Sequence, residues 1–231
     1  MKFRNWRQIA FVVAIITCIQ SIILTVIAML FYAGGTFSDP NTVGYTFFGN
    51  IFSDLGRLIA HSGESNIISF IIYNTSLFLM GVLLIPFFVA TPYLFKKEGE
   101  GMGLAKASSL LGILVAISMA GASLTPADLY YNIHVSFGFF SFIALLPLTI
   151  LYILAIFQNK TYHNRYAYVY IFFGIMQVIF LLIMSLGTSE QGVSTIFAAG
   201  QNIIVITMAI SFFIQAYGAS KTEKAIVEIF K

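Results

Sequence analysis

Long apolar runs alternate with short connections that carry nearly all of the basic residues, and few architectures accommodate that alternation. Read as helices of about 20 residues, the length that a bilayer core about 30 Å thick requires, the runs place spans at 9–32, 67–95, 104–124, 130–157, 166–187 and 193–217. Of the 12 Lys and Arg residues only Arg57 departs from a one-sided pattern. Lys2, Arg4 and Arg7 precede the first span, and Lys96, Lys97 and Lys106 flank the second connection. Lys160 and Arg165 flank the fourth, and Lys221, Lys224 and Lys231 follow the sixth. The positive-inside rule then puts both termini in the cytoplasm. The expected fold is an all-α polytopic membrane protein, one domain over residues 1–231, built as a bundle of six transmembrane helices in the plasma membrane.

Composition supports this reading, since 59% of residues are hydrophobic and 9% charged, against about 25% charged in soluble domains. The net charge of +3 follows from topology, and no basic run resembles a nucleic-acid footprint. Cys18 is the only cysteine, so neither an intrachain disulfide nor a thiolate metal cluster can form. No cofactor or metal is expected; a haem would need axial ligands within the spans, and only His134 qualifies. The first apolar run exceeds the roughly 7–15 residues of a signal peptide's apolar region, and Phe31-Tyr32-Ala33 is a poor cleavage site, so it reads as an uncleaved span.

Two connections, 96–103 and 158–165, leave no room for a domain. By contrast, the external loop at 33–65 is longer than structureless connections usually are. On a helical wheel Ile51, Leu55, Leu58 and Ile59 share one face, opposite Asp54, Arg57 and His61. This spacing predicts a short external amphipathic helix at about 51–61, lying in the membrane interface. Small residues recur along three spans: Ser108, Gly112, Ala116 and Ala120; Ala14, Cys18, Ser21, Thr25 and Ala28; and Gly200, Thr207, Ser211 and Gln215. Such stripes let helices approach closely in lipid, where apolar surface alone gives no drive to associate.

Depth singles out further polar residues. At about 1.5 Å per residue, Asn74 lies roughly 12 Å, His134 about 6 Å, and Gln201 with Asn202 about 12 Å from the outer ends of their spans. Gln20 and Gln177 lie nearer the midplane. An amide or imidazole facing hydrocarbon goes unpaired, so these side chains are expected to face the interior or a wet cavity. Asp54, Arg57, His61, Glu64, Asp128 and Glu190 stand at the mouth of such a pocket. Carboxylate with imidazole is the minimum for general acid–base chemistry, which makes Asp54, Asp128 and His134 the catalytic candidates. Asn74, Arg57, His134, Gln201 and Glu190 are the candidate ligand-binding residues. Asp128 and His134 are six apart, hence about 240° apart around a helix, and cannot jointly face one point unless the first turn is distorted. Thr125-Pro126-Ala127-Asp128 also reads as a capping box, and Thr188 with Gln191 as another before the sixth span, with Glu190 in its first turn. His61 and His163 read as surface residues.

Asn50-Ile51-Phe52-Ser53-Asp54-Leu55-Gly56, then Tyr73-Asn74 followed by Leu77 to Gly81, resemble the domain of unknown function 998 family and the related Frag/DRAM/Sfk membrane proteins. Thr125-Pro126-Ala127-Asp128 leading to Asn132-Ile133-His134 is similar to a Pro-Asp and nearby His in those families. The resemblance covers about residues 45–145, and the chain departs from it with Arg57 and His61 to Glu64 after the glycine. It implies six spans and, through the second family, lipid or GPI-anchor handling and membrane trafficking.

The leading functional expectation is an outward-facing polar pocket that binds or processes a lipid headgroup or amphiphile, with membrane lipid as partner. Catalysis lacks a nucleophile beside a base. The alternatives are a structural or assembly subunit with membrane-protein partners, and a small-molecule transporter. Orientation is directly testable in a Cys18→Ala background. Single cysteines at Lys97 or Lys160 should resist an impermeant thiol reagent in intact cells, and cysteines at Asp54 or Asp128 should react; the opposite pattern reverses the topology.

Overall fold

The computed structural model describes residues 6–95, 100–160, 162–186, 188–189 and 192–229. Among them are six long helices: α1 Trp6–Leu30, α2 Ile67–Ala90, α3 Met102–Ser123, α4 Tyr131–Gln158, α5 Arg165–Leu186 and α6 Thr195–Ile229. All six are long and apolar enough to cross a membrane, with mean hydropathy from 1.7 to 2.6. The chain is an all-α integral membrane protein. Helix ends fall within a few residues of those expected, apart from α6, which continues to Ile229 where the apolar pattern ends near 217.

Each helix packs against its neighbours in sequence and α6 closes on α1, so the six form a ring. One end of the ring carries both termini and the connections 91–101 and 159–164; the other carries 31–66, 124–130 and 187–194. The latter is called the loop end below.

The ring is filled with aromatic side chains. Phe88 meets Phe87 and Phe212 edge-on, and Phe212 meets Phe173. Tyr152 stacks on Tyr170 with centroids 5.6 Å apart, and its hydroxyl lies 2.6 Å from Ser109 Oγ. These rings fit because α3 presents small residues to them. A Cβ on Gly112 would collide with the Phe88 ring, and Gly81 of α2 faces Ala116 and Ala120. Ser108 Oγ donates to Leu148 O at 2.7 Å, tying α3 to α4. Ala14, Cys18, Ser21 and Ala28 of α1 are likewise buried. The small-residue stripes are thus used for packing within the chain, which is how helices gain contact area in lipid.

At the terminal end Arg7 pairs with Glu223 at 2.8 Å, and Gln8 Nε2 donates to Ser220 Oγ at 2.6 Å. Glu223 is 1% exposed, so α6 is prolonged past its apolar stretch by contact with the start of α1. Local composition could not show this. Nearer mid-bundle, Thr149 donates to Gln177 Oε1, and Gln20 Nε2 donates to Ser76 Oγ. These amides bridge helices.

Gly112→Leu should lower the melting temperature in detergent, since over-packing a filled core costs about 1–3 kcal/mol. Gly103→Ala, whose Cβ meets open space, should be neutral or slightly stabilising. An undiminished melting temperature for Gly112→Leu would show that the α2–α3 contact is slack.

Candidate functional site at the loop end

Between α1 and α2 the chain forms one 3-10 turn, Phe52–Gly56, and no other helix. The amphipathic helix expected over 51–61 does not form. After Gly56 the backbone is extended, with Arg57 at φ −81 and ψ 145, and Ile59 bridges antiparallel to Ser65. The expected faces are not kept either: Leu55 is buried as expected, but Asp54 is buried beside it at 6% exposed, and Ile59 is 47% exposed. Competition for carbonyls explains the difference. Leu55 O accepts from Asn66 Nδ2 and Ser69 Oγ, Gly56 O from Asn74 Nδ2, and Arg57 O from Asn66 Nδ2. Carbonyls that a longer helix would use for its own N–H groups are occupied by side chains at the start of α2.

Asp54 turns inward because donors surround it there. Its Oδ2 accepts from Ile51 N at 3.1 Å and Asn50 Nδ2 at 3.2 Å, while Oδ1 lies 2.9 Å from His61 Nε2. Tyr32 completes this knot. Its hydroxyl donates to Gly35 O and accepts from His61 N. Burial and the neighbouring Asp54 push the Tyr32 phenol up to about 12, so it remains a donor. Gly35, at φ +78, is required here: a Cβ would strike His61 and Ser62 backbone atoms.

The remaining candidates hold the same segment from other helices. Gln201 Oε1 accepts from Phe52 N at 3.1 Å, and Asn74 Nδ2 donates to Gly56 O at 3.1 Å. Asp128 Oδ2 accepts from both Leu58 N and Ile59 N at 3.0 Å. Asp128 therefore does not cap α4, which starts at Tyr131 without a side-chain cap; its partners lie in the loop. Asn202 Nδ2 donates to Phe47 O and Asn50 O, each at 2.9 Å. Arg57 stays at the surface of the segment, its Nε donating to Ile59 O. Thus Asp54, Arg57, Asn74, Asp128 and Gln201 converge on residues 50–59, and the groups they contact are chiefly loop backbone.

His134 belongs to a different contact. Its Nδ1 lies 2.8 Å from Thr125 O and 3.1 Å from Ala122 O. Two carbonyl acceptors demand a proton on Nδ1, so the imidazole caps the C-terminus of α3. Glu190 and Gln191 lie outside the described residues. The start of α6 is capped by Ser194, whose Oγ accepts from Phe197 N at 3.1 Å, in place of the expected Thr188; Thr188–Ser189 pairs with Gly192–Val193 in a short hairpin.

Below the knot, Tyr32, Phe52, Leu55, Ala60 and Tyr73 form a second apolar core with Ala28. Under Phe52 lies a cavity of about 120 Å³, walled by α1, α2 and α6 with Met119 of α3. Its lining is almost wholly apolar, including Leu77, Val205 and Ala209. Ile22 and Val26 line it while being 37% and 49% exposed, so the cavity opens on the side of the ring. Gln20 bonds Ser76 of α2, and Ile22 lies about 200° further round α1; the opening therefore lies at the α1–α6 seam.

An Asp-held imidazole is the orienting half of a base dyad. The hydroxyls beside it are committed elsewhere, Ser62 Oγ to Ala33 O and Tyr32 OH to Gly35 O, so neither is poised as a nucleophile. Sequence reading missed His61, Asn50 and Asn66 as anchors, because asparagine among turn residues reads as local turn chemistry. No family model, curated protein or solved structure matches this chain.

Asp54→Leu should cost about 2–4 kcal/mol, because it orphans three donors. Asp54→Asn should cost no more than about 1 kcal/mol, since the amide oxygen can still serve Ile51 N and Asn50 Nδ2. Melting temperature with limited proteolysis at 31–66 reads both; equal losses would show that the carboxylate charge itself holds the knot.

Proposed function

We propose that this protein binds a membrane amphiphile at the outer leaflet, taking its hydrocarbon chain into the cavity beneath Phe52 through the α1–α6 seam. The side-opening apolar cavity carries this reading: a void walled by Ile22, Val26, Leu77, Val205 and Ala209 has little to offer water, whereas an acyl or isoprenoid segment restores the missing dispersion contacts. The seam also has the right mechanics. Val26 lies five full turns after Gln8 on the same flank of α1, so one seam is fastened at the terminal end by Gln8–Ser220 and Arg7–Glu223 and open toward the loop end.

The one-sided distribution of basic residues supports a plasma-membrane protein with its terminal end in the cytoplasm and its loop end facing outward. Asp54, Asn74, Asp128 and Gln201 act as the frame of a roof over the chain-binding cavity in place of a polar headgroup cradle. A lipid-facing role is also what the resemblance to the Frag/DRAM/Sfk proteins implies. An assembly subunit is a weaker reading, because the small-residue stripes that would recruit neighbours are largely spent inside the ring.

Native mass spectrometry of protein released from its own membranes should detect lipid that survives detergent exchange. Ala209→Phe, which fills the cavity, should remove that lipid with the melting temperature kept; Val205→Trp serves if Ala209→Phe fails to fold. Lipid retained in a folded filled-cavity variant would overturn the reading.

A further inference from the structure

Two hydroxyl-bearing side chains line the apolar cavity without hydrogen-bond partners. Tyr73 of α2 lines it and is 8% exposed, and Thr25 of α1 lines it as well. Among the described residues neither hydroxyl has a hydrogen-bond partner, although the two serines of the lining do: Ser76 Oγ donates to Ser21 O and accepts from Gln20, and Ser21 Oγ donates to Cys18 O. Thr91 and Thr207 satisfy their hydroxyls on the preceding helical turn, whereas Thr25, like Thr17 on the same helix, does not. Leaving the hydroxyl of a largely buried side chain without a hydrogen bond is costly, and the Tyr73 phenol on the cavity wall is placed for a ligand atom.

Charge narrows the ligand further. The cavity wall carries no ionisable side chain other than the phenol. Above it, Asp54 and Asp128 are engaged by donors of the loop. A phosphate in the cavity would find no basic side chain on its wall, and Arg57 of the loop donates to Ile59 O. A hydroxyl or ester oxygen matches such a wall.

Building on the chain-binding reading above, we infer that the preferred ligand is an uncharged lipid whose hydroxyl or ester oxygen sits within the membrane against Tyr73 and Thr25. Tyr73 is then the specificity-determining residue: its ring roofs the cavity beside Phe52, and its hydroxyl selects a lipid with a hydrogen-bonding oxygen over a bare hydrocarbon. Because Tyr73→Phe keeps the ring, it separates recognition from packing.

Purified protein in neutral nanodiscs would be labelled with a diazirine-bearing diacylglycerol, in competition with unlabelled diacylglycerol or phosphatidylglycerol. Wild-type protein should label at the cavity helices, with diacylglycerol displacing the probe and phosphatidylglycerol failing to. Tyr73→Phe should reduce labelling about fivefold, the loss expected for one hydrogen bond, at an unchanged melting temperature, and Thr25→Val should act in the same direction. Unchanged labelling in folded Tyr73→Phe, or equal displacement by phosphatidylglycerol, overturns this inference. If Ala209→Phe abolishes labelling while Tyr73→Phe leaves it intact, the cavity still takes chains and only the role of the hydroxyl falls. If folded Ala209→Phe labels like wild type, the chain-binding reading falls with it.

Discussion

Backbone that leaves the helical state at a membrane boundary must find other partners for its N–H and C=O groups, and the loop end of this protein is organised around that demand. The segment 50–59 has too few internal hydrogen bonds to stand alone. Helices α2 and α6, together with the α3–α4 turn, supply the missing partners: Asn66, Ser69 and Asn74 take carbonyls, Asn202 takes two more, and Gln201 and Asp128 accept N–H groups. Polar side chains that are expensive in a bilayer are thereby made useful without any ligand. The same bonds lock Phe52 and Leu55 downward into the bundle, and so they set the position of the cavity's roof.

The cavity follows from unequal closure of the ring. At the terminal end an ion pair and a short amide–hydroxyl bond draw α1 and α6 together, and aromatic rings fill the interior. Toward the loop end the α1 and α6 side chains that line the cavity are of modest size, among them Ile22, Val26, Val205 and Ala209. One seam of the ring is thus latched at the terminal end and held only by apolar contacts around the cavity toward the loop end.

Much of the scaffold was legible in the chain itself. Six spans, their short connections and the packing role of Gly112, Ala116 and Ala14 follow from apolar run length and small-residue spacing, both local properties. The site was legible only in part. Asp54, Asn74, Asp128 and Gln201 were recognisable as polar groups needing partners, but their partners are main-chain atoms up to about 150 positions away, which no spacing rule encodes. The amphipathic pattern at 51–61 misled for a related reason: a wheel assigns faces on the assumption of a helix, and side chains of α2 had already taken the carbonyls that helix needed. His61 was read as a surface residue, and its engagement with Asp54 depends on the extended return of the chain past Arg57.

What the sequence determined by itself was the class and layering of the protein, because a bilayer turns run length and charge placement directly into helices and connections. Tertiary structure decided the rest: that α6 extends to meet Arg7, that the long loop is a roof instead of an interfacial helix, and that Tyr73 and Thr25 share one cavity. Those outcomes depend on which groups from distant segments arrive close enough to satisfy one another, and hydrogen-bond satisfaction in a low-dielectric interior is a property of the assembled set, with no residue carrying it alone.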